Sequence, residues 1–269
     1  MTRVIPVLLY HRVADGVTAD SFAVSRDQFI DHIATIKATG RVPLTISEVA
    51  DALRQPSLLP ERPIAITFDD GYTDTLSAID LLCSIGLRAT VYVTTGDLGT
   101  GERIGVRQVR ALAERSEGIE LGAHTVSHRR LDELGPHDAR KEIAESKRML
   151  ELIIDRRVDT FAYPHGAYDT QSRALVIEAG FRSAAATKNA LSHAADDPWA
   201  IARWTVRSAT TVDEVTAVVT GNARPLAWTN ERLRTRAYRY VRRFRPAQPP
   251  ETGGHLLRDD RLTWRDRGG

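Results

Sequence analysis

Short apolar, β-branched runs alternate with stretches of helical periodicity along most of this chain. That alternation narrows the choice of fold more than anything else in the sequence. Residues 4–10, 63–68, 89–94, 119–123, 158–163, 181–187 and 201–206 read as about seven buried strands. Helical patterns fill the gaps between most of them. Ser25 stands as an N-cap before Phe29, Ile33 and Ile36, and Thr45/Glu48 and Thr211/Glu214 have the spacing of capping boxes. Gly86 stands where a helix over 73–85 would stop. Strands that alternate with helices pair in parallel under a helical cover. At 269 residues a β/α barrel, closed or incomplete, fits the length better than an open sheet, although periodicity alone does not decide. In such barrels the chemistry sits on loops at the C-terminal ends of the strands.

Composition removes several classes of function. The single cysteine, Cys83, excludes an intrachain disulfide and a Cys-rich zinc site. A net charge of +2 gives no global field to draw in a polyanion, so no nucleic acid is expected as a partner. The apolar opening run, residues 4–10, is too short to cross a membrane. His11, Arg12 and Asp15 follow it without a small-residue cleavage site, so it reads as a first strand and not as a signal peptide. The expectation is a cytoplasmic protein, at most at the inner membrane face. After Gly221 the composition shifts. Seven arginines crowd 232–245, and prolines and glycines follow. Residues 1–222 are therefore read as one catalytic domain and 223–269 as a basic tail. Residues 224–245 read as a basic helix able to touch anionic head groups or an acidic partner, or as a solvated tail. No specific protein partner is indicated.

Three loops that follow strands carry candidate chemistry. The strand over 63–68 runs into Asp69, Asp70 and Gly71. Adjacent carboxylates repel, which suits a site that holds a cation or moves a proton, while Asp-Gly is also an ordinary turn. His124 and His128 follow the strand over 119–123, with a spacing that puts both on one face of a helical turn. Two histidines and one carboxylate form a three-ligand set with a position left open, as catalytic zinc needs. After the strand over 158–163, Pro164 and Gly166 fix a loop able to aim a backbone N–H at a substrate oxygen. A glycosidase pair is a poor reading of Asp69 and Asp70, since adjacent residues seldom reach the carboxyl separation of about 5–9.5 Å such enzymes use.

These motifs resemble the polysaccharide deacetylases of the NodB-homology type, carbohydrate esterase family 4, over about residues 4–220. TFDDG at 67–71 matches the family's first motif, and His124-Thr-Val-Ser-His128 its metal motif. The resemblance implies a distorted (β/α)7-type barrel and a divalent metal, usually Zn2+, with Co2+ or Ni2+ as alternatives. It implies Asp70, His124 and His128 as metal ligands and Asp69 as general base. In the third motif Pro164 is kept, but Ala162 stands where the family has Arg and His165 where it has Tyr. By the same analogy the His165 N–H would hold the oxyanion, and Arg203 is the candidate substitute for the missing Arg.

The family's Leu-x-His motif, which carries the general acid, occurs twice, ending at His11 and at His193. His11 is preferred because it follows a strand. That placement makes the chain similar to the branch with permuted motif order, the deacetylases of poly-N-acetylglucosamine. Tyr72, Tyr168 and Trp204 are candidates to line a sugar groove, and each is equally well a core residue. The implied activity is removal of N-acetyl groups from an amino-sugar glycan or glycoconjugate. The alternatives are an amidase or esterase on a small molecule, or a glycan-binding barrel weakened in catalysis by the missing Arg.

Overall fold

In the computed structural model, which describes residues 3–16, 19–115 and 117–228, seven parallel strands close into a barrel in strict chain order. They are β1 (Val7–Tyr10), β2 (Pro63–Phe68), β3 (Ala89–Val93), β4 (Ile119–Ala123), β5 (Thr160–Ala162), β6 (Ser183–Thr187) and β7 (Ile201–Thr205). The ring shuts where β7 pairs with β1, Trp204 opposite Leu8 and Thr205 opposite Leu9. The barrel is distorted at two seams. β4 and β5 share the single register pair Ala123–Phe161. β3 meets only the upper end of β2, and the short strand Val42–Leu44 pairs with the lower end.

Helices α1 (Arg26–Ala38) and α2 (Ile46–Arg54) lie between β1 and β2. Then α3 (Thr75–Ser84), α4 (Val106–Ala113), α5 (Pro136–Ile154) and α6 (Thr170–Glu178) each follow one strand, and α7 (Val212–Thr220) follows β7. Their ends follow local chemistry. Ser25 accepts from the Gln28 N–H, and the boxes Thr45/Glu48 and Thr211/Glu214 close reciprocally. Helix α3 begins two residues later than the sequence suggests: the Tyr72 and Thr73 carbonyls accept from N–H groups three residues on, a tighter turn ahead of the α-helical ladder.

Side chains alternate across each strand, and two cores result. Val7, Ala65, Tyr92, Ala162, Ala185 and Ile201 point inward and meet Ile46, Val49 and Ala50 of α2. Helix α2 thus plugs the N-terminal end and leaves the C-terminal end for chemistry. Leu8, Tyr10, Ile64, Ile66, Phe68, Val91 and Phe161 point outward under the helices. Gly122 is required on the inner face, since a Cβ there would sit 2.4 Å from the Tyr92 ring. Tyr92, its hydroxyl bonded to Thr160 Oγ1 at 2.9 Å, makes the floor below the open end.

Among the described residues no helix is long and apolar enough to cross a membrane. Residues 224–228 are not helical as expected. Pro225 has no N–H to give a helix, and Leu226 instead bridges to Leu191. The rest of the expected basic helix and tail lies outside the described residues.

Candidate active site at the C-terminal end of the barrel

Strand β2 ends at Phe68, and its inward alternation delivers Asp69 into the barrel mouth. Asp70 and Gly71 then take left-handed backbone, φ 73° and 70°, and this reversal sends the two carboxylates to different partners. Asp69 is held by Arg203 of β7 through Nη1 at 2.6 Å and Nη2 at 2.8 Å, and Nη1 also reaches Thr67 Oγ1 at 3.2 Å. Both side chains are buried, Arg203 at 0% exposure. Burial alone would raise the Asp69 pKa, but the Arg203 guanidinium, with His124 and His11, outweighs it and holds the carboxyl below its ordinary value.

Asp70 faces the histidines. Its Oδ1 lies 3.4 Å from His124 Nε2 and 3.1 Å from His128 Nε2. Burial raises its pKa, and His128 and His124 more than reverse this, to well below the usual carboxylate range. His124 Nδ1 sits 2.8 Å from the Ala162 carbonyl, which can only accept. That bond uses the Nδ1 proton, so Nε2 is the ring nitrogen that faces the carboxylate and can give its lone pair to a cation in place of a proton. Asp70 Oδ1 is itself buried without a hydrogen-bond partner. Three ligand atoms within 4.8 Å of one another, two imidazole nitrogens and an orphaned carboxylate oxygen, form a donor set that fits a divalent cation.

The segment between the histidines is not the helical turn expected from their spacing. Thr125 and His128 have φ of 65° and 57°, and its amides bond elsewhere than to carbonyls four residues back. Glu142 of α5 accepts from the Val126 and Ser127 N–H groups at 2.9 Å each. Thr95 and Gly96 donate to the Thr125 and Val126 carbonyls. A Cβ at Gly96 would lie 2.5 Å from the Val126 oxygen, so glycine lets the two loops close up. The histidines converge through this braced loop.

His11 follows β1 on the same inward face. Burial lowers its pKa, and Asp70 and Asp69, near enough to act on it, only partly offset that. Its ring packs on Phe22 at 4.7 Å, and its buried Nδ1 has no hydrogen-bond partner. His193 stands elsewhere. It lies on the strand Ser192–His193, antiparallel to Val4–Ile5 ahead of β1, and its Nε2 is 3.1 Å from the Ala227 carbonyl. The Pro164 turn brings His165 to the cluster, its ring 4.6 Å from that of His128 and its φ at 57°.

The structure chooses between the two readings, groove or core, that the sequence left open for the aromatic candidates. Trp204 is next to inward-facing Arg203, so alternation turns it outward, where it packs on the outer core. Tyr168 stacks on Tyr163 at 4.8 Å in the same outer layer. Tyr72 stays beside the site, but its ring is engaged by the guanidinium groups of Arg12 at 4.7 Å and Arg103 at 3.6 Å. The sequence reading missed Arg103, Glu142 and Gly96. Each meets its partner across 15 or more residues, beyond the reach of any local pattern.

A seven-stranded parallel barrel of this kind is also the fold of solved deacetylase structures. The polysaccharide deacetylase family model matches residues 58–184, the segment that holds Asp69, Asp70, His124, His128, Pro164 and His165. YxkH of Bacillus subtilis (strain 168) is 28% identical over 185 residues, 68% of this chain, and the chain spans 64% of the length of that relative. The Streptococcus pyogenes deacetylase PplD, solved in complex with acetate, superposes with a TM-score of 0.74 at 22% identity, over 81% of this chain and 99% of PplD. IcaB from Ammonifex degensii gives 0.70 at 20% identity, over 82% of this chain and 98% of IcaB. At these identities the two solved structures show the shared fold.

Proposed function

We propose that this chain is a divalent-metal-dependent hydrolase that removes N-acetyl groups from an amino-sugar glycan or glycoconjugate. The observation that carries this reading is the split between the adjacent carboxylates. Asp70 faces two imidazole nitrogens, while Asp69 is locked to Arg203 at 2.6 and 2.8 Å. Two nitrogens and one oxygen suit zinc, and Co2+ or Ni2+ accepts the same donors. A cation held by Asp70, His124 and His128 supplies Lewis acidity, which makes water a better nucleophile and an amide carbonyl a better electrophile.

The chain's own residues do the rest. Arg203 keeps Asp69 ionised and fixes its plane, so the carboxylate is ready to take a proton from the attacking water. Arg203 thereby orients the base from β7, in place of the Arg that Ala162 does not supply. His11 holds the proton that the departing amine needs. No protein acceptor competes for that proton at its buried Nδ1. The His165 N–H, on a turn fixed by Pro164, serves as donor to the developing oxyanion.

Acetate release from chito-oligosaccharides tests the reading. Asp69→Asn and His11→Ala are each expected to lose about 10²–10⁴-fold in rate, and His193→Ala to match the parent. Full activity after complete chelation would sink the metal dependence. Full activity in His11→Ala with loss in His193→Ala would sink the acid assignment. Release of acetate from small aryl esters or amides alone would move the substrate to a small molecule.

A further inference from the structure

Asp70 has two carboxylate oxygens, and the fold gives them different neighbours. Oδ1 is turned to the two histidine nitrogens, and Oδ2 lies 3.6 Å from Nη1 of Arg103. The same nitrogen donates to the main-chain carbonyl of Asp70 at 3.1 Å. One guanidinium therefore holds both the side chain and the backbone of a residue whose φ of 73° is costly for anything but glycine.

Arg103 is itself fixed. Its guanidinium carbon is 3.6 Å from the Tyr72 ring centroid, and its side chain is 18% exposed. Around it the segment 102–104 is laced to 71–73, with the Thr73 N–H donating to the Glu102 carbonyl and the Ile104 N–H to the Gly71 carbonyl, both at 2.8 Å. The Tyr72–Arg103 bridge completes this lacing.

We propose that Arg103 is a positioning residue that selects Oδ1 as the ligating oxygen of Asp70 and so sets the affinity for the cation. This rests on the reading of Asp70, His124 and His128 as a cation site. Two effects oppose each other. The positive charge of Arg103 repels a second cation, while its contacts hold the carboxylate in the one orientation that faces both histidines. Orientation wins here because Asp70 sits in strained backbone that Arg103 itself braces. Partners of metal-ligating groups are commonly worth about 10–100-fold in metal affinity.

The test uses the full chain, stripped with a chelator, and reads Zn2+ affinity by competition with a chromophoric chelator, with the Co2+ absorption spectrum as a second readout. Arg103→Ala is expected to bind Zn2+ about 10–100-fold more weakly and to shift the Co2+ bands, with Arg103→Lys in between. Wild-type affinity, or tighter, in Arg103→Ala overturns the proposal. Should that variant fail to fold, Arg103→Lys decides alone, because an ammonium keeps the charge but lacks the planar group that stacks on Tyr72 and so fixes where Nη1 meets Asp70. Weakened binding then supports the proposal, and wild-type affinity overturns it. Asp70→Asn separates the two layers. If it binds like the parent, the cation site is wrong. If it loses binding while Arg103→Ala keeps it, only the role of Arg103 is wrong.

Discussion

Replacing Arg203 by methionine should leave Asp69 buried in the barrel mouth without its hydrogen-bonded guanidinium. The structure sets the scale of the loss. Two charge-assisted hydrogen bonds, at 2.6 and 2.8 Å, would disappear, each worth about 1.5–3 kcal/mol. Their sum, about 3–6 kcal/mol, agrees with the roughly 3–5 kcal/mol lost when one partner of a buried ion pair is removed. Methionine fills much of the same volume, so most of the loss should come from the stranded carboxylate. The Asp69→Asn/Arg203→Met double variant should therefore regain most of the stability. Urea unfolding, followed by circular dichroism in excess chelator so that no bound cation adds stability, measures all four corners of the cycle. A loss below about 1 kcal/mol in Arg203→Met would refute the reasoning, as would simple additivity in the double variant.

Gly96→Ala should press its methyl against the Val126 carbonyl and move the loop between the two histidines. Zn2+ affinity measured by chelator competition should then fall, whereas Gly135→Ala, which meets nothing within 4 Å, should leave it unchanged. His32 offers a pH test remote from the site. It is buried between the Tyr10 hydroxyl and the Thr210 carbonyl, and burial, only partly offset by the bond to Thr210 and the charge of Asp31, lowers its pKa. The unfolded chain thus binds more protons between the folded value and about 6.5, so stability is full above about pH 6.5 and falls as pH drops, by up to about 1.4 kcal/mol per unit. His32→Leu should flatten that slope in urea melts below about pH 6.5, and an unchanged slope would count against it.

Much of the fold was legible in the sequence because each strand is a short run bounded by turn residues, and the helix caps are local. Ser25, Thr45 and Thr211 cap where their spacing predicts. The site was legible where its chemistry sits in one loop, as with Asp69-Asp70 and His124/His128. It was misread where spacing was taken for geometry. Four residues between histidines suggested a helical turn, but left-handed Thr125 and the Glu142 clamp bring the rings together by another route. Trp204 reads from sequence as equally a groove or a core residue, and only its phase decides, since which face a strand residue takes depends on neighbours 134 residues away, as the Arg203–Asp69 pair shows.

Closure of the ring between β7 and β1 has a consequence for how the site comes into being. The proposed cation ligands lie between residues 70 and 128, at the ends of β2 and β4, and the groups that brace them, Glu142 and the Ala162 carbonyl, come before the last two strands. The partner of Asp69 comes 134 residues later, on the last strand of the ring in chain order. As the chain is synthesised, the cation pocket can assemble well before the base acquires its counter-charge. Maturation of the site then has an order, ligands first and base last, and the final step waits on the seam that also seals the barrel.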